Sequence, residues 1–269
     1  MRYQPGLIAA IVLVLSFAGS ASIAAAPAVE VRIGYVGAVD APARLGVGQG
    51  LSEANMQGRF LGQKYMVENL GADAKPTPGI AALAVAGDPA LVRSLAASWA
   101  GHPVFNLTAD DDALRAACLP NVLHVPPSAR MRADAEAQWR QAHPDRPAQA
   151  HAWHATAEKY AASQLNGRFN KQFGRPMDDA AWAGWAAVKM LSDSVARLSA
   201  ADPAALLAFL RGELAFDGQK GVEMTFRADG QLRQMLLLVR EEEIVGEAPV
   251  RGVAPPEALD SLGATPACR

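Results

Sequence analysis

The chain has 269 residues, 51% of them hydrophobic, with 25 Lys+Arg against 27 Asp+Glu and two cysteines. That length and composition fit one good core or two small ones and exclude a disordered chain. The near-neutral balance, with positive charges scattered among negative ones, excludes the basic stripe of a nucleic-acid binder.

Residues 1–26 read as a cleaved secretory signal peptide: Arg2, an apolar run over residues 7–18, then small residues through Ala26. The run is twelve residues long and contains Ser16, whereas a membrane-crossing helix needs about 20 apolar residues. No second long apolar stretch follows, so the mature chain is not expected to be membrane-embedded. Export would place Cys118 and Cys268 in an oxidising compartment, where a pair is more often joined than free. A bridge between them would close a loop of about 150 residues; two separate thiols are the alternative.

Residues 30–37 alternate in character and are rich in β-branched side chains, as a first strand would be. A helix over 51–65 and a strand over 64–70 follow, then a loop over 71–79 with two prolines. The apolar run 80–86, bounded by glycines, fits a buried parallel strand. Asp88-Pro89 starts a helix toward Ala100, and residues 102–107 form the next strand. Alternating strands and helices are the grammar of a doubly wound α/β domain. Further along, 121–125 reads as a short strand and Ser128 caps a helix to Ala142. The stretch 143–147 is a break, and 155–197 is helical with an interruption at 173–176 and a cap at Asp178 or Asp179. Asp202-Pro203 starts another helix. Residues 222–226 and 232–240 read as a hairpin across Ala228-Asp-Gly230, followed by an irregular tail.

Several stretches together resemble a known family. They are Asn55-Met-Gln-Gly-Arg-Phe-Leu-Gly-Gln63, the block from Val104 through Asp110-Asp111-Asp112 to Cys118, Asn121-Val-Leu-His124 with Pro127-Ser128, Gly174-Arg-Pro-Met177 leading into Ala181-Trp-Ala-Gly-Trp-Ala-Ala-Val188, and Gly221-Val-Glu-Met-Thr-Phe226 ahead of Gly230-Gln-Leu-Arg-Gln234. They are similar to the periplasmic substrate-binding proteins of an ABC transporter system found with PQQ-dependent alcohol dehydrogenases, a branch of the type I periplasmic binding proteins. The resemblance implies a periplasmic location, an ABC transporter permease as partner, a functional link to a PQQ-dependent dehydrogenase, and two α/β lobes that clamp a ligand by hinge closure. It also implies a large departure. The second lobe should insert several strand–helix units between Trp139 and Trp153, and only about a dozen residues stand there. The expected plan is therefore an α/β lobe over 27–127, a remnant second lobe over 128–173, helices returning to the first lobe over 174–214, and a C-terminal hairpin and tail over 215–269.

Ligands of open α/β sheets sit beyond the carboxyl ends of the strands, which selects Asp40, Asn106, Thr108 and Asp110 as ligand-binding candidates. Asp110, Asp111 and Asp112 together could hold a hard cation, calcium or a lanthanide; the plainer reading is that one of them caps a short helix near Ala113. His151 and His154, three apart around Trp153, could hold Zn or Cu on one helix face, but no third ligand is identifiable and a structural role is favoured. Trp182 and Trp185 are expected in the core. Gly-x-Ser-x-Gly, His-Glu-x-x-His and Gly-x-x-x-x-Gly-Lys motifs do not occur, so catalysis is not expected. The sequence thus points to a ligand-binding component of a transport system, or alternatively to a periplasmic accessory or metal-binding protein that no longer clamps a small ligand.

Overall fold

The computed structural model describes Met1, residues 29–263 and residues 267–268. The expected signal peptide, Met1 apart, lies outside the described residues. Among the described residues, no helix is long and apolar enough to cross a membrane.

The first half alternates as expected: β1 (Val29–Val36), α1 (Pro42–Leu61), β2 (Gln63–Leu70), β3 (Ile80–Val85), α2 (Pro89–Ser98), β4 (Val104–Asn106), α3 (Asp112–Ala116) and β5 (Val122–His124). The five strands form a parallel sheet in the order β2-β1-β3-β4-β5. One face carries Ile80, Leu83 and Val85 against Val92, Leu95 and Trp99. The other face offers small residues, Ala82 and Ala84, beside Ile33 and Tyr35, to α1 and to α6 (Asp179–Leu198). Side-chain caps set the helix starts: Asp88 accepts from the Leu91 amide, Ser128 from Met131, Asp178 from Ala181 and Asp202 from Ala205. Trp182 and Trp185 are buried in the core.

Helix α1 begins at Pro42, nine residues before the sequence suggested. Gly46, Gly48 and Gly50 lower helix propensity, yet two of them are what lets α1 lie against α6. A Cβ on Gly46 would fall 2.7 Å from the Ala181 carbonyl carbon, and one on Gly50 2.7 Å from Val188 Cβ.

The second half contains α4 (Ala129–Ala142), β6 (Gln149–His151), α5 (Ala162–Phe173), α6, α7 (Pro203–Gly212), β7 (Leu236–Arg240) and β8 (Glu243–Ala248). Strands β6, β7 and β8 make a small antiparallel sheet, order β6-β7-β8. Its period-two pattern serves two cores. Leu236 and Leu238 pack with Met131, Ala135 and Trp139 of α4, whereas Leu237 and Val239 join the main core.

The expected hairpin is corrected. Residues 222–226 form only isolated bridges, Phe216↔Met224 and Phe226↔Leu232. The true hairpin pairs β7 with β8 around Glu241 and Glu242, both at positive φ (51° and 67°), the backbone of a two-residue turn that ordinarily shows Asn-Gly. Cys118 and Cys268 are disulfide-bonded with Cα atoms 5.5 Å apart, which ties the end of the chain to the segment after α3.

Candidate functional site

At the carboxyl edge of the parallel sheet, β4 ends at Asn106, which is fully buried. Its side-chain amide donates to the Ala109 carbonyl (2.7 Å) and lies 3.0 Å from His124 Nδ1, while its Oδ1 accepts the Thr108 and Ala109 amides (3.2 and 2.9 Å). Thr108 Oγ1 donates to the Gly87 carbonyl at 3.0 Å. Asp110 is exposed, and its carbonyl accepts the Ala129 amide at 2.8 Å. The fold thus gathers Asn106, Thr108 and Asp110 around the end of β4. Asp40 is exposed after β1, with β3 between the two strands. The polar groups of Asn106 and Thr108 are committed to the loop itself.

The three consecutive aspartates diverge. Asp111 Oδ1 accepts the Leu114 amide (2.7 Å) as the cap of α3, and Asp112 Oδ2 accepts the Arg130 amide (3.1 Å). Their shared cationic neighbour is buried Arg115. Burial pushes that guanidinium down to about 10, against the pull of Asp112, Asp110, Asp229 and Asp111, so it stays charged. Among the described residues, no group of three or more His, Cys, Asp or Glu is placed to hold a metal ion. Of the three aspartates considered for calcium or a lanthanide, Asp111 and Asp112 each give one carboxylate oxygen to a backbone amide.

Arg115 opens a buried network whose side chains carry no chemical signature in the sequence. Its Nε donates to Gln231 Oε1 at 2.9 Å and its terminal nitrogens to the carbonyls of Ala109, Asp111 and Pro126. Gln231 Nε2 donates to Pro126 O (3.1 Å), and Gln234 Nε2 to Val125 O (2.7 Å). Gly230 passes so close to the Val122 carbonyl, at φ 81°, that only glycine fits. The C-terminal segment is thereby laced across the end of β5. Gln231 and Gln234 lie just ahead of the apolar stretch 235–239, in the Gly230–Gln234 segment quoted for the family resemblance, which gave them no role. His124 is buried within this network; burial, reinforced by Arg115 and Arg211, drives its pKa well below the usual histidine value and leaves it neutral.

The largest described cavity, about 830 Å³, lies elsewhere: against the amino end of α6, between α4 and the β7–β8 turn, lined among others by Glu136, Arg140, His151, Trp153, His154 and Asp179. Asp179 Oδ1 accepts the Trp153 amide at 2.8 Å, and Oδ2 pairs with Arg132 at 2.8 Å and lies 3.6 Å from His151 Nδ1. Burial would raise this carboxyl, but the His151 hydrogen bond, the Arg132 charge and the Trp153 amide outweigh it and hold the pKa at about 2. His151 and His154 do not share a helix: His151 ends β6, and their rings stand 6.1 Å apart, each facing its own carboxylate, Asp179 and Glu242. Three smaller cavities measure about 430, 340 and 270 Å³. Asp40, Asn106, Thr108 and Asp110 line none of the four.

No protein-family model and no curated protein matches this sequence. Solved structures do match in three dimensions. An ABC transporter substrate-binding protein from Desulfitobacterium hafniense, in complex with Leu, superposes with a TM-score of 0.65 at 12% identity, covering 80% of this chain and 99% of that one. A branched-chain amino acid ABC transporter periplasmic ligand-binding protein from Burkholderia xenovorans LB400 gives 0.65 at 11% identity, covering 81% and 95%. A putative branched-chain amino acid ABC transporter protein from Rhodospirillum rubrum gives 0.66 at 12% identity, covering 81% and 99%. With a five-stranded parallel sheet and a small antiparallel one, the chain has the fold of the type I periplasmic binding proteins.

Proposed function

We propose that this chain is the solute-binding component of an ABC transport system, delivered to the periplasm by its amino-terminal segment and working with a membrane permease. The observation that carries the reading is the likeness to ABC substrate-binding proteins over four-fifths of this chain. The link to PQQ-dependent alcohol oxidation rests on the sequence motifs alone. The four residues at the strand ends, Asp40, Asn106, Thr108 and Asp110, remain the proposed ligand-binding set, with Asn106 acting through the loop it braces.

A second reading, an accessory protein that works through a partner instead of clamping a solute, is favoured by one feature. A single apolar cluster runs unbroken from Ile33 and Phe105 of the parallel sheet to Leu237 and Val239 of the antiparallel one, and a continuous core opposes hinge motion. A thermal-shift screen with alcohols, their acid products, amino acids, PQQ, calcium and lanthanide ions separates the two. A ligand at a hundredfold over its Kd adds about 2.7 kcal/mol to stability, or about 5–11 °C for a chain of this size. A reproducible shift with one solute class supports transport; a cooperative melt unmoved by every compound overturns it in favour of the accessory role.

A further inference from the structure

Lys220 is an anomaly. Its side chain is 2% exposed, and no carboxylate stands within ion-pair distance of it among the described residues. Buried ammonium groups are normally paired. Two of its three protons go to neutral oxygens, Gln234 Oε1 and the Met235 carbonyl, each at 2.9 Å. The Trp182 ring lies 4.1 Å from Nζ on another side. The third proton has no hydrogen-bond acceptor among the described residues. The residue also lines the 430 Å³ cavity, whose walls include Trp153, Tyr160, Leu237 and Ile244.

The backbone around this cavity is strained in the sense that points to function. Of the seven non-glycine residues at positive φ among the described residues, Tyr160 (54°), Ala161 (66°) and Gln219 (62°) belong to its wall or adjoin it. Tyr160 is half exposed although aromatic, and its ring covers Gly221 so closely that a Cβ there would strike it. The walls are mixed: Trp153, Tyr160, Leu237 and Ile244 are apolar, Lys159 is paired with Glu247, Glu158 is a further carboxylate, and Lys220 is the buried cation without a partner.

We propose that this cavity is a binding site for a small organic monoanion with an apolar body, a carboxylate whose acid group completes the coordination of Lys220 while its body lies against Trp153, Tyr160, Leu237 and Ile244. The site is separate from the strand-end residues and does not depend on the transport reading. Desolvation of the amine has already been met in folding, so an incoming carboxylate gains a counter-ion contact in a low-dielectric setting, and a neutral ligand of the same shape gains none. Other charges facing the amine are Asp179 of α6, which favours its protonation, and Arg132 of α4, which opposes it; Glu158, Lys159 and Glu247 line the cavity too.

Matched pairs test the idea on the mature protein by isothermal titration calorimetry at pH 6.5: benzoate against benzamide, and hexanoate against hexanamide. Each acid should bind at least tenfold more tightly than its amide, and Lys220→Met should remove that preference. A pH signature follows. Burial brings the Lys220 pKa down to about 7, so the acid should lose affinity roughly tenfold per pH unit above 7, the charged form being the one that binds. Equal binding of acid and amide, a preference that survives Lys220→Met, or no heat from any of the four probes at millimolar concentration each overturns the proposal. The acid–amide comparison in the unaltered protein decides the matter even where Lys220→Met fails to fold.

Discussion

The contact between α1 and α6 gives a direct test of the packing. Gly184 of α6 sits against the backbone of α1: a Cβ there would lie 2.9 Å from the Val47 amide nitrogen, 3.0 Å from the Ala43 carbonyl carbon, and inside the radius of the Ala43 carbonyl oxygen. Backbone cannot rotate away as a side chain can, so Gly184→Ala forces the helices apart along a seam that also contains Gly46 and Gly50. Overpacking costs about 1–3 kcal/mol, and a clash with backbone belongs at the upper end, about 3 kcal/mol. At 2–4 °C per kcal/mol for a chain of this size, the melting temperature should fall by about 6–12 °C. The internal control is Gly167, within α5, where a Cβ meets nothing within 4 Å; there alanine's better helix propensity should add about 0.5–1 kcal/mol. Differential scanning calorimetry on both variants reads the pair of opposite shifts. A Gly184→Ala protein that melts within a degree of its parent would refute the close helix contact.

Reduction of the Cys118–Cys268 bridge, which spans 150 residues, should cost up to about 5 kcal/mol by the loop-entropy model; guanidinium unfolding with and without dithiothreitol measures it, and coincident curves would count against the model. Asp202→Ala removes the cap on the Ala205 amide and should lower stability by about 1 kcal/mol, read as a shifted midpoint at unchanged slope. Asp179→Asn should destabilise by roughly 2 kcal/mol at neutral pH. The folded pKa near 2 against 3.8 unfolded means the carboxylate's contribution is complete above pH 3.8 and lost as pH falls through 2. An acid titration of both proteins checks this, and parallel curves would refute it.

The parallel half of the fold was legible because its signals are local: a β-branched run ending at Gly37, a glycine-bounded apolar strand, and Asp88-Pro89 and Ser128 acting as caps. What escaped was set by distant partners. Gly46 and Gly50 read as loop residues until α6 is seen beside them, so the first turns of α1 were lost. The turn at Glu241 and Glu242 lacks the glycine its positive φ usually requires, so the sequence marks no second strand there and β8 falls in the expected irregular tail. Strand β6 is three residues long and exists only because β7 pairs with it. At the site, Asn106, Thr108 and Asp110 lie together at the end of β4, but position at a strand end does not tell a loop brace from a ligand contact. Lys220 stands just ahead of the Gly221–Phe226 stretch with nothing in the sequence to mark it; only burial without a carboxylate makes it conspicuous.

His124 offers a sharper test of how the two sheets are held together. Its ring is buried with Nδ1 3.0 Å from the Asn106 amide, the Arg115 and Arg211 charges act on it, and its Nε2 meets no hydrogen-bond partner among the described residues. A proton there would be both desolvated and repelled, so the folded chain refuses it while the unfolded chain accepts it near pH 6.5. Below pH 6.5 unfolding therefore gains from this one residue, by at most about 1.4 kcal/mol per pH unit. Asp179 contributes nothing to the slope there, because its window begins below pH 3.8. His124→Asn places an amide oxygen near the Nδ1 position and has no proton to take up. It should start less stable at pH 8, for want of the ring, and then hold that stability nearly flat to pH 5 where the parent declines. Denaturant midpoints at half-unit pH intervals trace both curves. If the variant declines as steeply as the parent, the imidazole is not the group that resists protonation, and the buried bracing between Asn106, Arg115 and the C-terminal segment is looser than its geometry states.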